Sequence, residues 1–164
     1  MPHPNRQKCD FNNPPAPGKV CDFSLDDLGP CNEANFYGYT KQTPCVLLKL
    51  KKNPSWQPEF MNETDLPIEM PKDLQKHILE VSNDLIAWIS CKGENPSSEE
   101  NIGLVKYLPQ RGFRANQISA SEDALEPFVA VYFQLPVKKI LIDVKCTLWT
   151  KDSADAVTFK LLVD

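Results

Sequence analysis

Several features on which enzymes and metal sites depend are scarce in this chain. It has six glycines and two histidines among 164 residues, and it lacks a glycine-rich phosphate loop and a Gly-x-Ser-x-Gly nucleophile motif. No two cysteines stand two to four residues apart, the spacing that zinc sites favour. No run approaches the roughly 18 apolar residues of a membrane span. The sequence therefore predicts no bound cofactor, no metal site and no membrane-spanning segment of its own.

Composition and charge predict a globular domain that does not bind nucleic acid. Hydrophobic residues make up 41% of the chain, charged residues make up 24%, and the net charge is −4. An acidic balance gives no electrostatic reason to expect a nucleic-acid partner. The 15 prolines divide the chain into short segments and disfavour long helices.

The six cysteines are the most informative residues of the chain. They are Cys9, Cys21, Cys31, Cys45, Cys91 and Cys146. An even number at wide spacing predicts disulfides and an oxidising compartment, and the alternative is six reduced cysteines in the core. A Cys9–Cys21 bond would close a proline-rich loop, and a Cys91–Cys146 bond would join two layers of a β-sandwich. Spacing alone leaves other pairings open.

Hydrophobic patterning predicts a mainly β fold. The continuous apolar run at 128–133 has strand length, and the mainly apolar segments 46–50 and 85–91 are also strand candidates, with 102–108 as a further one. Two stretches at 140–148 and 157–163 alternate apolar with polar residues. One helix is expected at 71–81, because a proline suits its first position and apolar residues share one face. Residues 1–20, 54–71 and 94–100 are expected to be irregular.

Candidate catalytic groups are few. His3 lies in an expected tail, and His77 lies in the helix, one position away from its apolar face. The adjacent carboxylates at 26–27 and 99–100 diverge in most backbones, so solvated loop charges are expected rather than a general acid and base. The sequence therefore predicts a protein that is not an enzyme.

One modification signal supports an extracellular location. Asn62-Glu63-Thr64 is an N-glycosylation acceptor sequence in an expected loop. The N-terminal residues carry no apolar signal segment, whereas the cysteines and this acceptor require export. We therefore expect the exporting segment to lie upstream of this chain.

Several motifs together resemble one known family. Segment 21–31 reads Cys-Asp-Phe-Ser-Leu-Asp-Asp-Leu-Gly-Pro-Cys, and it is followed by Phe36-Tyr37-Gly38-Tyr39 and by Pro-Cys-Val-Leu-Leu-Lys-Leu at 44–50. Further matches are Cys-Lys-Gly-Glu at 91–94, Pro-Phe-Val-Ala-Val-Tyr-Phe at 127–133 and Ile-Asp-Val-Lys-Cys at 142–146. This set is similar to the β subunit of Na+/K+-transporting ATPases, from about Cys9 to Asp164.

The resemblance implies a fold and a location. Members are type II plasma-membrane glycoproteins, and this chain would be their extracellular domain, an immunoglobulin-like β-sandwich with long disulfide-stapled loops. It implies pairing in chain order, namely Cys9–Cys21, Cys31–Cys45 and Cys91–Cys146. Residues 1–20 would form an irregular, disulfide-closed start, and 21–164 would form the sandwich of a single domain.

The resemblance also implies a non-catalytic role. Such subunits support the folding, assembly and surface delivery of a P-type ATPase α subunit and tune its potassium handling. Phe36, Tyr37 and Tyr39 are candidates for contact with that partner, with core packing as the alternative.

One departure from the family leaves a second function open. Segment 113–123 lacks the tyrosines and prolines that the family places before its Pro-Phe-Val-Ala-Val strand. The alternative function is therefore a cell-adhesion or junction protein that contacts other cell-surface proteins without pump activity.

Overall fold

The computed structural model describes residues 6–8, 16–22, 25–51, 55–81, 85–118, 127–152 and 154–164. Strands predominate, which confirms the predicted mainly β fold. In chain order they are β1 Arg6–Lys8, β2 Val20–Asp22, β3 Cys45–Lys49, β4 Ile86–Gly93, β5 Val105–Leu108, β6 Gly112–Arg114, β7 Phe128–Phe133, β8 Ile142–Trp149 and β9 Ala154–Leu161.

Two antiparallel sheets form the body of the fold. One has three strands in the order β3-β7-β5, and the other has four in the order β6-β4-β8-β9. β8 pairs with β9 along its whole length, from Ile142 opposite Leu161 to Trp149 opposite Ala154. Short β1 and β2 pair in parallel in a separate sheet. The prediction that residues 1–20 are irregular is therefore wrong for Arg6–Lys8.

The core lies between the two sheets. Val129, Val131 and Phe133 of β7 pack in one buried cluster with Ile142 and Val144 of β8. Alternate residues of these strands point to the same side, so each strand contributes one apolar row. The two sheets therefore form a β-sandwich, as the sequence predicts.

β4 is buried on both faces, which explains why apolar and polar residues do not alternate along it. Ile89 and Cys91 point into the core between the sheets. Ile86 and Trp88 point to the outer face of the four-stranded sheet and pack in a second cluster. A strand covered on both sides does not alternate in sequence.

Helix α1, Lys72–Glu80, covers that outer face. Its buried residues Leu74 and Ile78 pack against Trp88 and Trp149. The predicted helix at 71–81 is confirmed. His77 is half-buried and meets Trp88 edge-on, with ring centroids 5.5 Å apart.

A second helix contradicts the prediction of a polar loop at 94–100. α2 spans Pro96–Asn101, and the Asn95 side chain accepts a hydrogen bond from the Ser98 backbone N–H at 2.8 Å. Asparagine at the cap followed by proline is a helix start signal. The helix forms because that signal is supported by tertiary contacts of Ser98. This residue is buried, and its hydroxyl oxygen accepts a hydrogen bond from the Asp143 backbone N–H at 2.8 Å.

The divergent segment 113–123 begins inside the fold. Phe113 lies in β6 and is buried in the core, and helix α3, Ala115–Ile118, follows it. The remaining aromatic of that segment is therefore a core residue. Residues 119–123 lie outside the described part of the chain.

Candidate partner-binding surface and disulfides

The three candidate partner-binding aromatics lie on the surface. Phe36 is 65% exposed, Tyr39 is 61% exposed and Tyr37 is 37% exposed. They belong to a stretch of 3-10 turns over Glu33–Lys41. The alternative prediction, that they pack in the core, is wrong for this structure.

The backbone of this segment has an uncommon conformation. Phe36, Tyr37 and Gly38 have φ values of 50°, 50° and 76°. Bulky residues rarely adopt positive φ, and such positions are maintained only where the surroundings enforce them. At Gly38 a Cβ atom would lie 2.0 Å from the Thr43 carbonyl oxygen, so only glycine fits.

Both ends of the segment are fastened. Asn32 caps its start, because its side-chain oxygen accepts the Asn35 backbone N–H at 2.9 Å. The Cys31–Cys45 disulfide brackets it, with the Cα atoms 5.7 Å apart. The loop is thus tied to the start of β3. The turn before it packs on the outer face of the three-stranded sheet, where Leu28, Cys31 and Cys45 form one buried cluster with Ala130.

The aromatics lie at one end of the sandwich, together with exposed aliphatic residues. Gln42 donates a side-chain hydrogen bond to the Asp164 carbonyl at 2.5 Å, and the Lys139 backbone N–H reaches the Val163 carbonyl at 2.6 Å. The exposed aliphatic side chains of this end are Leu104, Leu135, Val137, Ile140, Leu141 and Leu162. We call the aromatics and these aliphatics the apolar end.

A concentration of exposed apolar side chains marks an interaction surface more often than scattered ones do. Sequence reasoning found the aromatics and missed the aliphatics of the apolar end. The signal was present in the proline-containing stretch Leu135-Pro136-Val137, where apolar residues stand in a loop.

The Cys91–Cys146 disulfide lies inside one sheet. The two residues are directly opposite each other on neighbouring strands β4 and β8, with Cα atoms 4.0 Å apart. The expectation that this bond joins two layers of the sandwich is wrong. Antiparallel neighbours place opposite side chains on the same face, so both sulfurs point into the core of the sandwich.

The observed bonds are the second and third of the pairs that the resemblance implied. Cys9 and the side chain of Cys21 lie outside the described residues, so the Cys9–Cys21 pair stays a prediction. β1 and β2 bring Gln7 and Cys21 side by side in the backbone register.

Asn62 has the geometry of an accessible acceptor. It is exposed, and its side-chain oxygen accepts hydrogen bonds from the Thr64 hydroxyl at 2.7 Å and the Thr64 backbone N–H at 3.1 Å. The asparagine and the hydroxyl residue of the acceptor sequence are thus already in contact at the surface.

A cleft of about 640 Å³ lies beside β4 and α2. Within it, Arg111 lies over the Tyr107 ring at 4.5 Å from the ring centroid and pairs with Asp73 at 2.9 Å. Burial raises the pKa of Tyr107, so this hydroxyl stays protonated at neutral pH and serves as a hydrogen-bonding group. In the part of the chain that the structure describes, no group of histidine, cysteine or acidic side chains is arranged to hold a metal ion.

Among the helices of the described residues, none is long and apolar enough to cross a bilayer.

Comparisons with known proteins agree on one family. A family model described as the sodium/potassium ATPase beta chain matches residues 3–158. The sodium/potassium-transporting ATPase subunit beta-2 of Drosophila melanogaster is 42% identical, over 98% of this chain and 54% of the relative. Subunit beta-1 of the same species is 34% identical, over 95% of this chain and 54% of the relative.

A vertebrate relative is also similar. Subunit beta-2 of Rhinella marina is 30% identical, over 79% of this chain and 41% of the relative. The chain spans about half the length of the two Drosophila relatives. The family match covers nearly the whole chain, and the chain therefore belongs to the sodium/potassium ATPase beta chain family.

Proposed function

We propose that this chain is the extracellular domain of a non-catalytic β subunit of a sodium/potassium-transporting P-type ATPase. In this role it supports the folding, assembly and plasma-membrane delivery of the catalytic α subunit and tunes its potassium handling. The family membership supports the proposal, as do the disulfides, which are typical of an extracellular location. A β subunit that binds only folded α stabilises α by mass action.

The observation that carries partner binding is the exposure of Phe36 and Tyr39 on a fastened loop. Large aromatic side chains dominate the binding energy of protein interfaces. A loop held at both ends loses little conformational freedom on binding, so less of the interaction energy is spent on ordering it. We propose that these side chains and Tyr37 contact the α subunit.

The test is purification of the full-length, membrane-anchored protein from its own cells in mild detergent, followed by mass spectrometry. A stoichiometric P-type ATPase α chain supports the proposal. Recovery of the protein without α, from cells that express α, contradicts it and favours the adhesion function.

Variants locate the contact. Phe36→Ala with Tyr39→Ala is expected to lower the amount of α recovered about tenfold or more, because truncated aromatic anchors cost 1–2 kcal/mol each or more. Ile68→Ala is the matched control, since Ile68 is exposed but lies outside the apolar end. Equal loss in both variants would contradict a contact at the aromatics.

We further propose that Asn62 carries an N-linked glycan. The support is its exposure and its contact with the Thr64 hydroxyl. Glycosidase treatment of the full-length protein is expected to lower its apparent mass. In the Asn62→Gln variant, this decrease in apparent mass is expected to be smaller by the mass of one glycan. An unchanged shift in Asn62→Gln would contradict this assignment.

A further inference from the structure

Strand β9 leaves one edge of the four-stranded sheet unpaired within the described part of the chain. Its other edge pairs with β8 over all eight residues, Ala154–Leu161. A long edge strand presents a row of backbone donors and acceptors that can pair with another strand. Proteins usually protect such edges with charges, prolines, bulges or covering segments.

The opposite edge of the same sheet, formed by β6 and the end of β4, is protected. β6 pairs with β4 only as far as Trp88, and three further backbone N–H groups of β4 are capped individually. The Ile89 backbone N–H donates to the Arg111 carbonyl at 2.9 Å, and the Cys91 backbone N–H donates to the Tyr107 hydroxyl at 2.7 Å. The Gly93 backbone N–H donates to the Glu99 carboxylate at 2.6 Å.

Among the described residues, no group caps the outer backbone N–H groups of β9 in this way. The strand contains no proline, its two charged residues are Asp155 and Lys160, and Lys160 pairs with Asp143 of the neighbouring strand at 2.7 Å. Val157 is 50% exposed although it lies on the side of β9 that faces the core. An apolar groove of about 420 Å³, lined by residues that include Leu47 and Leu148, opens beside Val157.

The sequence of β9 complements itself. Two copies of a strand can pair antiparallel around a two-fold axis perpendicular to the sheet. The core-facing residues of both copies then lie on the same side of the joined sheet. With the axis at Thr158, Val157 lies opposite Phe159 of the partner subunit, and Thr158 lies opposite Thr158 of the partner subunit. Aromatic–β-branched pairs and Thr–Thr pairs are both favourable across strands.

Neighbouring registers are poorer. An axis at Val157 places Asp155 opposite Phe159 of the partner subunit, which sets a carboxylate against a ring. An axis at Phe159 shortens the overlap of the two strands. The register centred on Thr158 also sets Asp155 opposite an apolar residue, Leu161 of the partner subunit, but only at the ends of a long overlap, and it places the compatible pairs at the centre.

We propose that β9 pairs antiparallel with β9 of a second copy of this chain, centred on Thr158. The two four-stranded sheets then become one continuous sheet with an isologous interface. β9 does not include Phe36, Tyr37 or Tyr39, so this self-association and the proposed contact of those aromatics with α are tested by separate variants.

Cysteine cross-linking of the full-length protein in cell membranes tests the register. Thr158→Cys is expected to form a disulfide-linked dimer on mild oxidation, seen on a non-reducing gel. Ala154→Cys is the matched control on the same strand, because the proposed register separates its two copies by roughly 27 Å along the strands. No dimer with Thr158→Cys, equal dimer with both variants, or cross-linking of Thr158→Cys to a different protein would overturn the proposal.

A charge at the interface provides a second measurement. Val157→Lys in the Thr158→Cys background removes both Val157–Phe159 pairs, so the association constant is expected to fall about tenfold. Lys106→Gln, on β5 of the other sheet, is the control and is expected to leave the cross-linked fraction unchanged. An unchanged fraction in the Val157→Lys variant would overturn the register.

Discussion

The outer faces of the two sheets are covered in different ways. On the four-stranded sheet, α1 lays Leu74 and Ile78 on Trp88 and Trp149. On the three-stranded sheet, the cover is the Leu28 turn together with the loop that follows it. Leu28 packs on Ala130 in a smaller cluster, and the Cys31–Cys45 disulfide brackets the loop. A covering element with a large buried apolar area is stabilised by burial alone, whereas one with a small buried area is stabilised in addition by a disulfide. The loop bracketed by the disulfide is also the one that exposes Phe36, Tyr37 and Tyr39.

The largest effect is expected from the helix cover. Leu74→Ala removes a fully buried side chain of the contact and should lower the free energy of unfolding by about 4 kcal/mol, from lost transfer energy and the cavity left behind. Leu79→Ala, on the exposed side of α1, is the control and should change stability little. Denaturant unfolding measures both variants, and similar losses would show that α1 is not held by its buried face.

The loop cover should respond to loss of its disulfide. The double variant Cys31→Ala with Cys45→Ala is expected to lose about 3 kcal/mol, because the bond closes a short loop in the unfolded chain. Hydrogen exchange should show faster exchange in residues 32–44, while the amides of α1 keep their protection. Equal acceleration in both regions would mean that the two covers are not independent.

A smaller loss is expected from a polar contact beneath the helix cover. Trp149 donates its indole N–H to the buried Ser90 hydroxyl at 2.8 Å. Trp149→Phe should cost about 2 kcal/mol, since Ser90 is left without this partner and some packing is lost. A double-mutant cycle with Ser90→Ala should give a coupling of about 1 kcal/mol, and a coupling near zero would contradict the hydrogen bond.

The smallest effect concerns an exposed ion pair on the same outer face. The hydrogen bond from Lys160 lowers the pKa of Asp143, and the bond to Asp143 raises the pKa of Lys160. The pair's contribution is therefore complete between the ordinary values of about 3.9 and about 10.4. It is lost as the pH falls through the lowered pKa of Asp143 or rises through the raised pKa of Lys160.

An NMR titration of the Asp143 carboxyl tests this pair. Lys160→Gln should move the pKa of Asp143 upward, towards its ordinary value. Lys106→Gln, on an exposed position of β5, is the control and should leave that pKa in place. An unchanged pKa in Lys160→Gln would show that the pair does not persist in solution.

Local patterns account for the elements that the sequence predicted. Proline at 71 with apolar residues on one face marked α1, and alternation marked β8 and β9. The helix at Pro96–Asn101 was missed although its cap signal was present, because the same polar residues also suit a loop. Local sequence did not distinguish the two, and the contact of Ser98 with the Asp143 backbone favours the helix.

The site could be predicted only in part. The motif containing Phe36 and Tyr39 marked the aromatics, but exposure and core packing are equally compatible with a Tyr-Gly-Tyr sequence. Their exposure depends on the three-dimensional path of the loop between Cys31 and Cys45. The aliphatics of the apolar end come from separate loops, so their proximity is invisible to any local pattern.

The sequence by itself determined most of the strand-forming segments, the α1 helix and the presence of disulfides. Hydrophobic periodicity is local, and an even number of widely spaced cysteines is a property of composition. Only the tertiary structure decided that Cys91 and Cys146 are neighbours within one sheet, that Phe113 is buried, and that β9 lies at an edge. Strand order is set by which apolar faces meet across long stretches of chain, and that choice depends on the packing of the whole fold.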